Sequence, residues 1–255
     1  MFLNSRKYLL VVILFWMGIL LLAMPACHDA FNECLSGPGK TKTERMGLYP
    51  FKNVSVNDNI DLTIQNGNNY NLEITVGENI IPVLGIEIIN GTLNLSNQSN
   101  CKLLKKPWEA ISITLTAPNL DTIFVKNHGQ IHSQKPFSSK SLLIRITNSP
   151  ADIDLEIEAE YFRLENLSGT AKVKISGLAQ NAECYHAGFG MIDFTDLRPQ
   201  YLYLNMNSTN NSEIWGAEKY MYAALSNIGN VYYYNEPSRI ELGIKDSGQL
   251  IRVGK

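Results

Sequence analysis

Charge is scarce in this sequence, and neither sign prevails. Only 18% of the 255 residues are Asp, Glu, Lys or Arg, 22 basic against 24 acidic. A nucleic-acid binder needs a basic face to neutralise phosphates, so that class is excluded. Cysteine is scarce too. Four in this length cannot make a disulfide-dense scaffold, and no Cys-x-x-Cys pair signals a zinc ribbon or a thioredoxin-like site. Beyond residue 27 no stretch repeats its apolar residues at helical spacing. The 45% hydrophobic content is nevertheless enough to bury a core, which excludes disorder.

The long uncharged run lies at the start. Arg6 and Lys7 precede Tyr8 to Ala23, and the run closes on Ala23-Met24-Pro25-Ala26-Cys27. A basic segment, an apolar segment and a small residue before the cut predict a secretory signal over residues 1–26. A cysteine directly after the small residue resembles the bacterial lipobox. That resemblance implies a diacylglyceryl group on Cys27, which becomes the new N-terminus. It implies an exported chain held to a membrane by lipid, on the periplasmic or surface face of the outer membrane. Met24 and Pro25 depart from the usual lipobox residues. An uncleaved anchor and plain secretion are the alternatives, and all three place the rest of the chain outside the cytoplasm. Without residues 1–26 the chain keeps 20 basic and 24 acidic residues, a net charge of −4.

Residues 27–47, with Gly37-Pro38-Gly39, read as a tether. Residues 48–255 read as a single β domain. In an oxidising compartment Cys34 and Cys101 can bridge, pinning the tether to the first sheet. Cys184 falls at an inward strand position, which predicts a buried free thiol.

From residue 48 the apolar residues alternate. Val54-Ser-Val56, Ile60-Asp-Leu62-Thr-Ile64, Leu72-Glu-Ile74-Thr-Val76 and Ile111-Ser-Ile113-Thr-Leu115 carry the strand period. Asn57-Asp58-Asn59 and Asn66-Gly67-Asn68 punctuate them, and Asn90-Gly91 marks a hairpin. Residues 48–118 therefore read as antiparallel strands.

After residue 119 the chain repeats about every twenty residues. Small residues recur at Gly129, Ala151, Gly169, Gly190, Ser212, Gly229 and Gly248. They suit corners where a side chain would clash or φ must be positive. Two strands and two corners per twenty residues make one coil of a right-handed parallel β-helix, about seven coils over residues 119–255. A propeller blade needs twice that length. Stacking at about 4.8 Å per coil would pile inward residues into one core. Aligning the coils on the small-residue column sets Asp154 beside Lys172 and Lys172 beside Asp193, with Ile153, Ala171 and Ile192 inward. On the other strand it sets Arg163 beside Glu183.

Tyr49-Pro50-Phe51-Lys52-Asn53-Val54-Ser55-Val56, Ile60-Asp61-Leu62 and Val76-Gly77-Glu78-Asn79-Ile80-Ile81 follow one another in the first half, then Gly91-Thr92-Leu93. Ala117-Pro118-Asn119-Leu120 and Tyr233-Tyr234-Asn235-Glu236-Pro237 come later. In that order these segments resemble the auto-transporter adhesin, head-GIN domain family of Bacteroidota, over about residues 44–253. Cys34 and Cys101 sit in contexts similar to its lipoprotein members. The resemblance implies an exported β-helical protein without assigned catalytic residues. Asn127-His128-Gly129, Asn148–Ala151 and Asn207–Ser212 depart from the family's glycine-rich corners.

Little catalytic chemistry is legible. His132 shares an outward column with Asp154, but no serine or cysteine nucleophile stands beside the pair. Asp152, Asp154, Glu156, Glu158 and Glu160 alternate on one face. Such a row can bind calcium or lie as a solvated face paired to Lys172 and Lys174. No metal or cofactor site is expected. The expectation is a non-enzymatic envelope interaction module for a glycan or protein partner. A polysaccharide lyase-like enzyme and a purely structural envelope protein are the alternatives.

The strongest binding candidate is aromatic. Seven of twelve tyrosines lie within residues 201–234. Tyr201 and Tyr203 alternate with Leu202 and Leu204, and Tyr220 and Tyr222 flank Met221 one coil later. With Tyr185 and Tyr232 they form the predicted binding face, since contiguous exposed aromatics mark contact surfaces.

Overall fold

The structure, a computed structural model, describes residues 37–99 and 111–254, together with Trp16. Apart from Trp16, the expected signal segment lies outside the described residues, as do the lipid site Cys27 and the candidate bridge Cys34–Cys101.

The first strands are β1 (Thr41–Gly47), β2 (Asn53–Asp58), β3 (Ile60–Asn66), β4 (Asn71–Gly77), β5 (Leu84–Ile89), β6 (Thr92–Asn97) and β7 (Ile111–Ala117). Then come β8 (Thr122–Asn127), β9 (Gln130–Ser133), β10 (Phe137–Ile146), β11 (Asp152–Asn166) and β12 (Lys172–His186). The chain closes through β13 (Ile192–Phe194), β14 (Leu197–Met206), β15 (Ser212–Ile214), β16 (Tyr220–Leu225), β17 (Val231–Tyr233), β18 (Arg239–Ile244) and β19 (Leu250–Arg252).

From β8 onward these strands wind into a solenoid of about seven turns. Antiparallel pairs β1–β4, β4–β7 and β5–β6 precede it and cover its first end. One ladder runs β8, the second half of β10, the second halves of β11, β12 and β14, then β16 and β18, all parallel. A second ladder runs β9, the first halves of β11 and β12, then β13, β15, β17 and β19. A short third ladder stacks Phe137–Ser139, Ile157–Ala159, Gly177–Ala179 and Leu197–Pro199. It exists because β10, β11, β12 and β14 continue around a bend instead of breaking there.

The period-two pattern explains the core. In the first ladder Ile123, Ile144, Leu164, Cys184, Leu204 and Ala223 are in register and buried. In the second, Ile131, Ile153, Val173 and Ile192 stack the same way. Each fully buried aliphatic side chain contributes roughly 1.5–3 kcal/mol over its exposed state. Every inward residue rests on the coil before it and carries the next, so stability accumulates by nearest-neighbour contact.

Three sequence expectations need adjusting. The parallel stacking begins before residue 119. Strand β2 pairs parallel with both β6 and β8, and β3 with both β7 and β9. The chain therefore lays the β6–β7 layer outside β2–β3 and then returns inside it. Thr41–Gly47, expected as the end of a tether, is β1, paired along its length with β4. The register on the second ladder is also shifted by two. Lys172 stands beside Asp152, and Lys174 stands between Asp154 and Asp193. Ala171 lies at a corner, and Val173 takes the expected place between Ile153 and Ile192. The cause is two small residues per corner. Gly169, at φ +100°, lies on Ser149: a Cβ there would meet the Ser149 backbone at 2.5 Å. Aligning Gly169 with Ala151 instead of Ser149 slides the rung by two and keeps every residue on its correct face.

Candidate binding face

The outer face of the first ladder carries three columns of side chains. The first reads Ser141, Tyr161, Asn181, Tyr201, Tyr220, Arg239. The second reads Leu143, Arg163, Glu183, Tyr203, Tyr222, Glu241, and the third Arg145, Glu165, Tyr185, Asn205, Ala224. Positions in the second and third columns are outward because the inward positions alternate with them along the strand, and the first column begins the same alternation just after the bend.

Five of the six predicted tyrosines fall on this face: Tyr185, Tyr201, Tyr203, Tyr220 and Tyr222. Tyr203 and Tyr220 rings lie 5.7 Å apart and tilted. Tyr203 is 41% exposed and Tyr222 36%, so the patch is open to solvent. The Lys219 ammonium sits 5.6 Å from the Tyr201 ring and the Arg239 guanidinium 5.8 Å from the Tyr220 ring. The Tyr220 hydroxyl donates to Glu241 Oε2 at 3.0 Å. Desolvation, helped by Glu241, holds that phenol above its ordinary pKa. The sixth residue, Tyr232, lies on the second ladder between Glu213 and Ile251, apart from the patch.

The charged half of the face is a bonded network. Arg163 pairs with Glu165 at 2.9 Å and Glu183 at 3.4 Å, and Arg145 pairs with Glu165 at 2.5 Å. The Arg163–Glu183 neighbours match the sequence expectation. The network engages the Arg145 and Arg163 side chains, and the tyrosines lie beside it on later coils.

Sequence reasoning missed two aromatics. Tyr161 is 56% exposed, in the same column as Tyr201 two coils on. Its repeat position is that of Tyr201 and Tyr220, which was the available signal. Trp215 carries the Arg198 guanidinium 4.0 Å from its ring centroid, and no periodic pattern marks that pair.

The carboxylate row does not form one cluster. Asp152 and Asp154 face Lys172 and Lys174 on the second ladder, while Glu158 lies on the third and Glu160 at the bend. Among the described residues no group of three or more His, Cys, Asp and Glu is placed to hold a metal. His132 is in register with Asp154, and its Nε2 lies 2.9 Å from Thr63 Oγ1. Cys184 is buried, and desolvation pushes its thiol up to about 12. It cannot act as a nucleophile near neutral pH. Among the described residues no helix is long and apolar enough to cross a membrane.

The family model described as "Putative auto-transporter adhesin, head GIN domain" matches residues 50–237. No curated protein matches the chain. Among solved structures, a Bacteroides fragilis protein described as a "putative adhesin" is 20% identical, with a TM-score of 0.75 over 84% of this chain and 97% of its own. A Parabacteroides distasonis protein so described is 16% identical, with a TM-score of 0.61 over 85% and 98%. Another from that organism, described as a "putative lipid binding protein", is 20% identical, with a TM-score of 0.56 over 85% and 98%. At these identities the likeness is one of fold.

Proposed function

The chain belongs to the head GIN auto-transporter adhesin family, and on that footing we propose that it is an exported, lipid-anchored interaction module of the cell envelope. It works by holding a partner rather than by turnover. The supporting observation is the patch of Tyr201, Tyr203, Tyr220 and Tyr222 on one outer face, open to solvent and flanked by fixed charges. Tyrosine gives large contact area at small entropic cost and offers a hydroxyl at its tip. Cys27 carries the lipid in this reading, and Cys34 and Cys101 tie the tether to the first sheet. The groups expected of a lyase are not assembled on the described faces, where on the second ladder Lys172 faces Asp152 and Lys174 stands between Asp154 and Asp193.

The test is attachment of the full-length protein to whole cells and to a glycan array. Tyr203→Ser with Tyr222→Ser is expected to weaken every measured association at least tenfold. Unchanged association overturns the reading. A screen of polysaccharides for released reducing or unsaturated ends is expected to show none, and turnover would restore the enzyme alternative.

A further inference from the structure

Beside the tyrosine patch the surface is grooved. The bend that β10, β11, β12 and β14 share between the third and first ladders forms a shallow groove of about 910 Å³. It runs along the solenoid axis. Strands β10, β11 and β12 contribute the same three positions, which from β11 are Glu158, Ala159 and Glu160, and from β12 Leu178, Ala179 and Gln180, and β14 adds Arg198 and Gln200. The small middle residue makes the floor and its neighbours make the walls. Four stacked strands at about 4.8 Å give a trough roughly 15–20 Å long.

We propose that this groove binds a linear, uncharged glycan lying parallel to the solenoid axis. The inference rests on the reading of the adjoining face as a contact surface, and it names the chemistry of what is held there.

Four observations carry it. First, the strands offer no free backbone. Within this trough β11 is hydrogen-bonded between β10 and β12, and β12 between β11 and β14, so a peptide cannot add as another strand. Recognition has to come from side chains. Second, four of those side chains are unengaged, while Arg198, Gln200 and Ser139 already have partners within the fold. Among the described residues Glu158, Glu160, Gln180 and Lys140 make no side-chain hydrogen bond or ion pair. Carboxylates and amides suit sugar hydroxyls, which both donate and accept. Third, the walls carry no net charge: Lys140 and Arg198 balance Glu158 and Glu160. A charged polymer gains no electrostatic capture there, and the single large apolar wall residue, Leu178, is too little for an acyl chain. Fourth, Tyr161 and Tyr201 directly follow Glu160 and Gln200 on the groove rim. They share one column two coils apart, about 10 Å. That is close to the length of a disaccharide in an extended chain. Alternate sugars can therefore stack their C–H faces on successive tyrosines.

The test is calorimetric titration of the full-length protein, in a detergent without a sugar headgroup, with cellohexaose, mannohexaose and maltohexaose. Hexagalacturonate serves as the charged comparator. At least one neutral hexamer is expected to bind, and hexagalacturonate at least tenfold more weakly. Glu160→Ala with Gln180→Ala is expected to weaken neutral binding at least tenfold. Both side chains are exposed, so the fold is not at stake. Tighter binding of hexagalacturonate overturns the proposal, as does neutral binding indifferent to the groove pair. So does failure of all three neutral hexamers to bind. If attachment to cells still depends on Tyr203 and Tyr222 in that case, the contact face stands and only the glycan groove falls. If attachment is indifferent too, both readings fall.

Discussion

The middle coils and the closing coil share one inward pattern and differ in what covers it. In the middle, Leu155, Ile175 and Leu164 are fully buried because a coil lies on each side. In the closing coil Leu242 is 53% exposed and Ile244 50%, although they continue the columns of Ala223 and Leu225. The opposite end is different again. There the antiparallel strand β1 forms the outer edge, and it carries charge: Arg45 pairs with Glu73 at 2.6 Å and Lys42 with Glu44 at 2.6 Å. Charge on an outer strand discourages unwanted pairing. The lesson is that an inward residue in a solenoid is worth what the next coil makes it worth.

The largest effect should come from the middle. Leu155→Ala removes a side chain packed between two coils and should cost about 2–5 kcal/mol, read as a lowered denaturation midpoint. A loss below about 1 kcal/mol would mean that the middle is not close-packed.

A second difference is polarity. The middle buries Asn166 and His186 in neighbouring rungs, whereas the same column holds Met206 and Leu225 further on. His186 Nε2 lies 3.1 Å from the Gly190 carbonyl, while its Nδ1 and both side-chain amide atoms of Asn166 have no hydrogen-bond partner. Burial holds the imidazole pKa below its ordinary value of 6.5, with the Gly190 contact opposing. The unfolded chain therefore binds the proton first. The stability of the neutral form is fully present above about pH 6.5 and is lost as pH falls below it. His186→Met, which copies the next coil, should flatten that part of the pH–stability profile. An unchanged slope between pH 7 and 5 would assign it to other groups. Leu242→Ala should have the smallest effect, under about 1 kcal/mol, because half the side chain is already in water.

The sequence makes the faces legible and leaves the stacking less so. Alternation assigns Ile153, Leu164 and Cys184 inward and Tyr203 and Arg163 outward without reference to any neighbour. The exact rung-to-rung offset depends on which of two small corner residues carries the turn, and Ser149 gives no signal beside Ala151. The N-terminal layering was hidden for a different reason. Strands β6 and β7 stack outside β2 and β3, about forty to fifty residues away along the chain, and no periodicity encodes such an exchange. The tyrosine patch could be read because it lies on consecutive coils. Tyr232 could not be separated from it by alternation alone, since the ladder it joins is fixed by the corners. The groove was invisible because it comes from strands that bend without breaking, and Ser139, Ala159 and Ala179 look like ordinary inward residues.

Hydroxyl-radical footprinting of the full-length protein, free and attached to cells, probes the contact face most directly. Protection should concentrate on Tyr161, Tyr201, Tyr203 and Tyr222, with Tyr49 and Tyr232 as reactive attached as free. Protection of Tyr232 with the first-ladder tyrosines unchanged, or equal protection of all six, would contradict the account.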